Sequence, residues 1–354
     1  MSLGIVVLAT GVMAGWLGWS VGGAQTTLYV DDVGTVLAAL AASLLCCSAG
    51  HRQVGALRRF WWLLAAACAA WMLGEVIWAI YDLVLRDAVG VPSWADVGYL
   101  SAIPLAVAAL LSHPAMAGSA ARQARFTLDG LLVATALLFL SWTLVLGPLW
   151  HTTDLTTLGG LVAIAYPFGD VVIVFFIVLA VRRMPAGNRL GLWCLLFGLL
   201  ALALSDSLYA YLTEVQGYDP GSLLDAGWFA GYLAIALGAS CSQSQQIAAR
   251  EPHADAAAPA FAAFVVPFVP ILCALGLVAF KPELVQELDP VAFTAAFGLV
   301  VLVLARQLLV VRDIAAHTSH CDGTLRERLL AVTGAALPEH SEPAVPPLPR
   351  RSQP

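Results

Sequence analysis

Acidic side chains stand among aromatic ones in two stretches of this chain that are otherwise apolar. The first stretch reads GEVIWAIYDLVLRDAVGVPSWADVGYLSAIPL and includes Glu75 and Asp96. The second reads SDSLYAYLTEVQGYDPGSLLDAGWFAGYL and includes Asp206 and Asp225. Carboxylates inside apolar helices are costly in a bilayer unless they are paired, hydrated or at its edge, so both stretches predict a polar site.

The spacing of these residues indicates what chemistry they could do. On a helix, Glu75, Trp78 and Asp82 fall at i, i+3 and i+7 and share one face, and Asp96 begins the following helix on the same side. Neighbouring carboxyl groups can hold a proton, pair with a cation or accept hydrogen bonds, and aromatic rings offer faces to an organic cation. Two plainer interpretations stay open. Tryptophan and tyrosine crowd membrane interfaces, and Asp96 and Asp225 suit the first turn of a helix.

Another acid, Asp170, lies in the segment AYPFGD, where Pro167 and Gly169 predict an interrupted helix near mid-membrane. Irregular backbone at that depth is tolerated only where protein or water lines it. We therefore expect Asp170 to make a functional or structural polar contact. The candidate ligand-binding residues are Glu75, Trp78, Asp82, Asp96, Asp170, Asp206, Asp225 and Trp228.

Motifs of catalysis and of metal binding are missing from the sequence. It has no Walker loop, GxSxG, HExxH or dinucleotide fingerprint, and HTSHC at 317–321 matches no closed zinc pattern. We expect no enzyme activity, no catalytic residues, no metal and no cofactor, and we expect no nucleic acid as a partner.

The composition places the candidate residues in a membrane. The 354 residues are 60% hydrophobic and 11% charged, whereas soluble domains carry about 25% charge. This predicts an all-α integral membrane protein with about ten transmembrane helices, in contact with a lipid bilayer. The predicted spans are about 3–22, 33–50, 60–84, 95–112, 127–147, 157–181, 190–213, 222–241, 260–280 and 290–311.

The basic residues predict the orientation of the chain. With the N-terminus inside, 15 of the 17 basic residues fall in inside segments, and only Arg86 and Lys281 fall outside. This bias predicts a plasma (inner) membrane protein with both termini in the cytoplasm. Most acids fall in the outer half or the outer loops, including Asp31 and Asp32 just before the second predicted span.

Residues of the two acidic stretches recur in the same order. Three pairs share one offset and three share an offset two residues longer. The pairs are Ser93 and Ser222, Asp96 and Asp225, Gly98 and Gly227, then Glu75 and Asp206, Trp78 and Tyr209, Ala79 and Ala210. They predict a four-helix unit used twice, at about 1–112 and 127–241, with two further helices within 260–311. Chance similarity between apolar helices is the alternative explanation.

The runs GEVIWAIYDL…VPSWADVGYLSAIP, AYPFGD and SDSLYAYL…LLDAGWFAGYLAIALGA carry a resemblance to known proteins. Roughly residues 60–312 resemble the membrane-embedded N-terminal region of actinobacterial signalling proteins. Those proteins commonly continue into GGDEF and EAL domains, which make and degrade cyclic di-GMP. The resemblance implies a sensory role for the membrane part.

The sequence departs from that family after Arg312, because no GGDEF, EAL or kinase motif follows. We expect a membrane domain at 1–312, a cytoplasmic helical extension at 313–333 and a disordered Pro-rich tail at 334–354. A sensory module would bind an unknown small ligand or cation from the outer side. It would then act through a cytoplasmic signalling partner that contacts 313–354. A lost output domain, a secondary transporter and a structural membrane partner are the alternatives.

Overall fold

The computed structural model describes residues 1–86, 90, 92–114, 120–147, 150, 156–183, 190–214, 217–248, 276 and 290–308. Within these ranges the chain forms helices and no strand. The helices are α1 (Leu3–Trp19), α2 (Ala24–Arg52), α3 (Gly55–Ala79), α4 (Ala95–Ser112), α5 (Ala120–Ser141), α6 (Leu158–Arg183), α7 (Leu190–Glu214), α8 (Asp225–Ala248) and α9 (Pro290–Leu308). The all-α class predicted from the sequence is confirmed.

Six of the described helices are long and apolar enough to cross a membrane: α2, α3 with its following turn, α4, α6, α7 and α9. α1 and the segment Gly130–Ser141 of α5 are apolar but shorter. These helices indicate a multi-pass membrane protein. The count of ten spans stays a prediction, and the span expected at 260–280 lies outside the described residues apart from Gly276.

Two helices differ from the sequence-based expectation in ways that change the site. α2 begins at Ala24 rather than near 33, so Asp31 and Asp32 lie inside a helix and are buried. α6 is not interrupted, because it runs unbroken from Leu158 to Arg183 with Pro167 inside it. A proline removes one hydrogen bond of the helix ladder, and close packing of neighbouring helices compensates for this in membrane helices.

Small residues let α3 approach α4 closely and α7 approach α8 closely, and each of these two pairs forms a helical hairpin. A Cβ atom on Gly98 of α4 would lie 2.6 Å from the backbone nitrogen of Gly74 and 2.7 Å from the carbonyl oxygen of Ala70, both in α3. In the hairpin of α7 and α8, a Cβ on Gly198 would lie 2.8 Å from the carbonyl oxygen of Gly231. Packing of small residues is how helices associate in a bilayer, where lipid supplies no hydrophobic driving force.

The two hairpins, α3 with α4 and α7 with α8, are joined by two flanking helices in a similar way. α2 packs against α3 and also against α8 of the other hairpin. α6 packs against α7 and also against α4 of the other hairpin. Each flanking helix therefore connects both hairpins, which brings their acidic stretches face to face.

An apolar core fills one end of this six-helix arrangement. Its fully buried members include Phe60 near the start of α3, Leu110 near the end of α4, Leu195 near the start of α7 and Ile235 in α8. The acids lie toward the opposite ends of the same helices. The bundle is therefore apolar and closely packed at one end and polar at the other.

The chain divides into two compact units, 1–303 and 304–354. The first holds the helices up to residue 303. In it, a smaller apolar cluster joins α5 to α9 through Leu132, Phe139, Ala292 and Ala295. Of the second unit the structure describes 304–308, which are helical.

Candidate functional site

The polar end of the bundle encloses a cavity of about 250 Å³ between α2, α3, α4, α6, α7 and α8. Seven carboxyl groups line it, those of Asp31, Asp32, Glu75, Asp96, Asp170, Asp206 and Asp225. No lysine, arginine or histidine is among the described residues that line it. The part of the lining that the structure describes is therefore acidic and has no basic side chain.

The structure brings seven of the eight predicted site residues together around this cavity: Glu75, Trp78, Asp96, Asp170, Asp206, Asp225 and Trp228. Asp82 is not among the lining residues. α3 ends at Ala79, and a π-helical turn follows over Ile80–Leu85. The wider turn changes the angular spacing of the side chains. Asp82 lies within hydrogen-bonding reach of Trp78 and stands beside the cavity rather than in its lining.

Glu75 is held by two phenols from two different helices. Tyr232 of α8 donates a hydrogen bond of 2.8 Å to Oε1, and Tyr99 of α4 donates one of 3.2 Å to Oε2. Both oxygens of this carboxyl group therefore have a donor. Because Tyr232 comes from the other hairpin, Glu75 also links the two hairpins.

Two more carboxyl groups of the cavity accept hydrogen bonds from aromatic side chains. The indole Nε1 of Trp228 donates a bond of 2.6 Å to Oδ1 of Asp206. The phenol of Tyr166 in α6 donates to Oδ1 of Asp96 in α4. These donors fix the direction of each carboxyl group, and the cavity is therefore preorganised before any ligand enters.

The acids at the starts of α4 and α8 cap their helices and also line the cavity. Oδ2 of Asp225 accepts a bond of 2.8 Å from the backbone nitrogen of Ser222, and Oδ2 of Asp96 accepts one from Ser93 in the same way. This S-x-x-D arrangement is half of a capping box. The other oxygen of Asp225 accepts a bond of 3.1 Å from Tyr218. Burial, and then the nearby carboxylate of Asp225, raise the pKa of the Tyr218 phenol, which therefore stays protonated and keeps donating.

The lining residues fall into pairs at the spacing of the two acidic stretches. Five pairs lie 131 residues apart and three lie 129 apart. These are Asp32 and Ala163, Thr35 and Tyr166, Trp71 and Leu202, Glu75 and Asp206, Trp78 and Tyr209, then Asp96 and Asp225, Tyr99 and Trp228, Ile103 and Tyr232. The hydrogen bond from Tyr99 to Glu75 has its counterpart in that from Trp228 to Asp206. Residues at these two spacings, on the hairpins and on α2 and α6, thus line one cavity together.

Sequence reasoning left Asp31 and Asp32 out of the site, because the second helix was expected to begin after them. The carboxyl group of Asp31 lies within hydrogen-bonding reach of that of Asp225, and two carboxyl groups can bond in this way only if they share a proton. Tyr166 and Tyr232 were also missed, although helical spacing could have found them. Tyr166 stands four residues before Asp170, and Tyr232 stands seven after Asp225 and four after Trp228.

Two of the acids that line the cavity have an oxygen that no other described group satisfies, and Oδ2 of Asp82, outside the lining, is a third such oxygen. Oδ2 of Asp32 and Oδ2 of Asp170 are both inaccessible and without a hydrogen-bond partner. The side chain of Asp32 is only 9% exposed. Buried polar atoms are nearly always hydrogen-bonded, so an orphaned carboxyl oxygen facing a cavity indicates something that occupies that cavity.

The arrangement can bind a positively charged group, hold protons, or do both. Among the described residues, no three His, Cys, Asp or Glu side chains are placed to hold a metal ion. The rings of Tyr209 and Trp228 meet edge to face at 5.9 Å, and those of Tyr99 and Tyr166 at 6.4 Å. The walls are therefore both acidic and aromatic, a combination suited to an organic cation.

This chain matches no family model, no curated protein and no solved structure.

Proposed function

We propose that this protein is a sensory module of the plasma membrane, in which a cationic ligand enters the acidic cavity from the extracytoplasmic side. The observation that supports this proposal most is that seven carboxyl groups from six helices line one cavity, with no basic side chain among the described residues that line it. A ligand that binds one helix arrangement better than another shifts the population toward it, and α2, α3, α4, α6, α7 and α8 all touch the site.

The closely packed apolar end of the bundle supports sensing over transport. Phe60, Leu110, Leu195 and Ile235 fill the space beyond the acids and are fully buried. A cation in the cavity would meet this apolar layer rather than a polar path. In this arrangement the site is a pocket that opens toward one membrane face.

The orientation proposed here puts that pocket on the outer side. The cavity lies where α3 and α7 end and where α4 and α8 begin. The distribution of lysine and arginine supports an orientation with those helix ends outside and both termini in the cytoplasm. The ten spans and the duplicated four-helix unit are part of the same proposal, and the paired lining positions support the duplication.

The resemblance to the membrane regions of GGDEF and EAL signalling proteins supports a sensory role. Residues 313–354 carry no catalytic motif of those domains. We propose that the output is delivered to a cytoplasmic signalling partner through 313–354. Occupation of the cavity would change the exposure or the position of this segment.

Hydrogen–deuterium exchange on the full-length protein in lipid nanodiscs tests the coupling. Glu75→Gln weakens the link between the hairpins, so the exchange of 313–333 should differ from that of the wild type by at least about twofold. Asp219→Asn is the control, because Asp219 is exposed and does not line the cavity. If residues 313–333 exchange at the same rate in Glu75→Gln as in the wild type, the sensory proposal is wrong.

A secondary transporter is the second candidate, and Asp170 is the observation that favours it. Its carboxyl group lies in the middle of α6 and has an unsatisfied oxygen, as an acid on an ion pathway would have. The uninterrupted α6 removes one reason for this candidate, since many transporters use a broken helix at the binding site.

Proteoliposomes containing the full-length protein separate the two candidates. A sensor should show no accumulation of radiolabelled putrescine, ethylammonium or sodium above that of protein-free liposomes, with or without a pH gradient. Accumulation that is abolished by Asp170→Asn would establish transport and overturn the sensory role.

A further inference from the structure

The paired lining residues of the cavity suggest what kind of cation fits. We infer that the cavity binds a linear aliphatic diamine, with one ammonium group at the unsatisfied oxygen of Asp32 and the other at that of Asp170. This inference rests on the proposed binding role of the cavity and names its ligand class. It depends on two orphaned carboxyl oxygens, on the helix register that sets them at different depths, and on the paired lining residues.

Each orphaned oxygen lies on a different flanking helix. Oδ2 of Asp32 on α2 and Oδ2 of Asp170 on α6 are inaccessible and have no partner among the described residues. Asp32 is 91% buried, since only 9% of it is exposed. An ammonium group donates hydrogen bonds and carries the compensating charge, so it satisfies such an oxygen better than water does.

The register of α2 and α6 indicates that Asp32 and Asp170 lie at different depths in the cavity. Thr35 on α2 pairs with Tyr166 on α6 at a spacing of 131, and the two helices end at Arg52 and Arg183 with the same spacing. At that spacing the counterpart of Asp170 is position 39, seven residues beyond Asp32. Seven residues of helix correspond to about 10 Å along the axis. Two charges joined by a short chain bridge such a distance, whereas one ion does not.

The remaining lining fits the middle of such a ligand. The aromatic side chains of Trp71, Trp78 and Trp228 border the cavity and offer apolar faces to methylene groups. The cavity volume of about 250 Å³ is just below the range of about 300–1,000 Å³ that drug-sized ligands occupy. A diamine of four to six carbons is small enough to be enclosed.

Isothermal titration of the full-length protein in nanodiscs tests the inference with defined probes. Putrescine should bind at least about 10-fold more tightly than butylamine, which has the same carbon chain and only one ammonium group. Calcium chloride should bind more weakly than putrescine, since no three ligands are grouped for a metal ion.

Two substitutions locate the ends of the ligand. Asp32→Asn and Asp170→Asn keep the side-chain shape, and each should weaken putrescine at least about 10-fold while leaving the thermal midpoint of the protein near that of the wild type. Asp219→Asn, the exposed control, should leave putrescine binding unchanged. Comparison of putrescine with butylamine on the wild type needs no variant and stands even if one variant fails to fold.

The outcomes separate this inference from the proposed function. Equal affinity for putrescine and butylamine, tighter binding of calcium, or no effect of both substitutions overturns the diamine assignment. If putrescine fails to bind while Glu75→Gln still changes the exchange of 313–333, the ligand class alone is wrong. If putrescine binds and that exchange stays unchanged, the sensory role alone is wrong.

Discussion

The phenol of Tyr232 in α8 donates a hydrogen bond of 2.8 Å to Oε1 of Glu75 in α3, across 157 residues of chain. This bond joins the two hairpins inside the cavity, and its donor is only 1% exposed. It satisfies an acid that would otherwise present an unpaired oxygen within the bundle.

Removal of that hydroxyl group should therefore destabilise the bundle. Tyr232→Phe leaves Oε1 of Glu75 without its donor, which should cost about 1–3 kcal/mol of unfolding free energy and lower the thermal midpoint in detergent micelles. Tyr211→Phe is the matched control, because Tyr211 of α7 is 48% exposed. Equal midpoints for the two variants would contradict the structural role of the bond.

The contact between α3 and α4 should not tolerate an added methyl group. Gly98→Ala would place its Cβ 2.6 Å from the nitrogen of Gly74, so the helices must separate. Overpacking of this kind costs about 1–3 kcal/mol, and we expect a lower thermal midpoint. In α1, by contrast, nothing lies within 4 Å of a Cβ added to Gly11. Gly11→Ala should be neutral or stabilising, and a similar loss in both variants would exclude the close contact as the cause.

Two substitutions of Asp225 should distinguish its role in capping the helix from its role in ligand binding. Asp225→Asn keeps an acceptor oxygen for the backbone nitrogen of Ser222 but removes the charge, whereas Asp225→Ala removes both. Loss of a cap costs about 1 kcal/mol, so the alanine variant should melt lower than the asparagine variant. Putrescine titration should show weakened binding in both. Full binding by a stable Asp225→Asn would leave this acid as a cap only.

His113 should make the stability of the protein depend on pH. It follows α4, is 4% exposed and packs edge to face on Phe60 with ring centroids 4.8 Å apart. Burial lowers its pKa from the ordinary 6.5 to about 4. The unfolded state therefore binds a proton at higher pH than the folded state. The stability contributed by neutral His113 is complete above pH 6.5, falls as the pH drops toward 4, and has then lost about 3 kcal/mol.

Melting curves of the wild type and of His113→Gln between pH 8 and pH 4 measure this contribution. The carboxyl groups of the cavity titrate in both proteins, so the difference between the two curves isolates the histidine. The wild type should lose more stability than the variant between pH 6.5 and 4. Parallel curves would mean that His113 is not held neutral in the folded protein.

Local spacing along helices was enough to predict much of the candidate site. Glu75 and Trp78 share a face because they are three residues apart, and Asp206 and Asp225 stand out because their surroundings are apolar. Reasoning from helical spacing did not predict the position of Asp82 correctly. Its predicted position depends on regular α-helical geometry past Ala79, and the π-helical turn over Ile80–Leu85 breaks that regularity.

The partners of the acids could not be predicted, because they are distant in the sequence. Tyr166 lies 70 residues from Asp96 and reaches it only because α6 packs on α4. Asp32 joins the site because α2 starts early enough to include it. The continuity of α6 across Pro167 also depends on the packing of neighbouring helices. The helix propensity of the local sequence does not indicate that packing.

The pairing of Ile103 with Tyr232 makes the two sides of the cavity unequal in hydrogen-bond donors. Glu75 has both oxygens engaged by phenols, whereas Ile103 has no hydroxyl group to offer Asp206, which accepts a bond from the indole of Trp228. The carboxyl group of Asp206 therefore keeps more of its acceptor capacity for a guest than that of Glu75 does. A guest with two unequal ends would lie with its stronger hydrogen-bond donor toward Asp206.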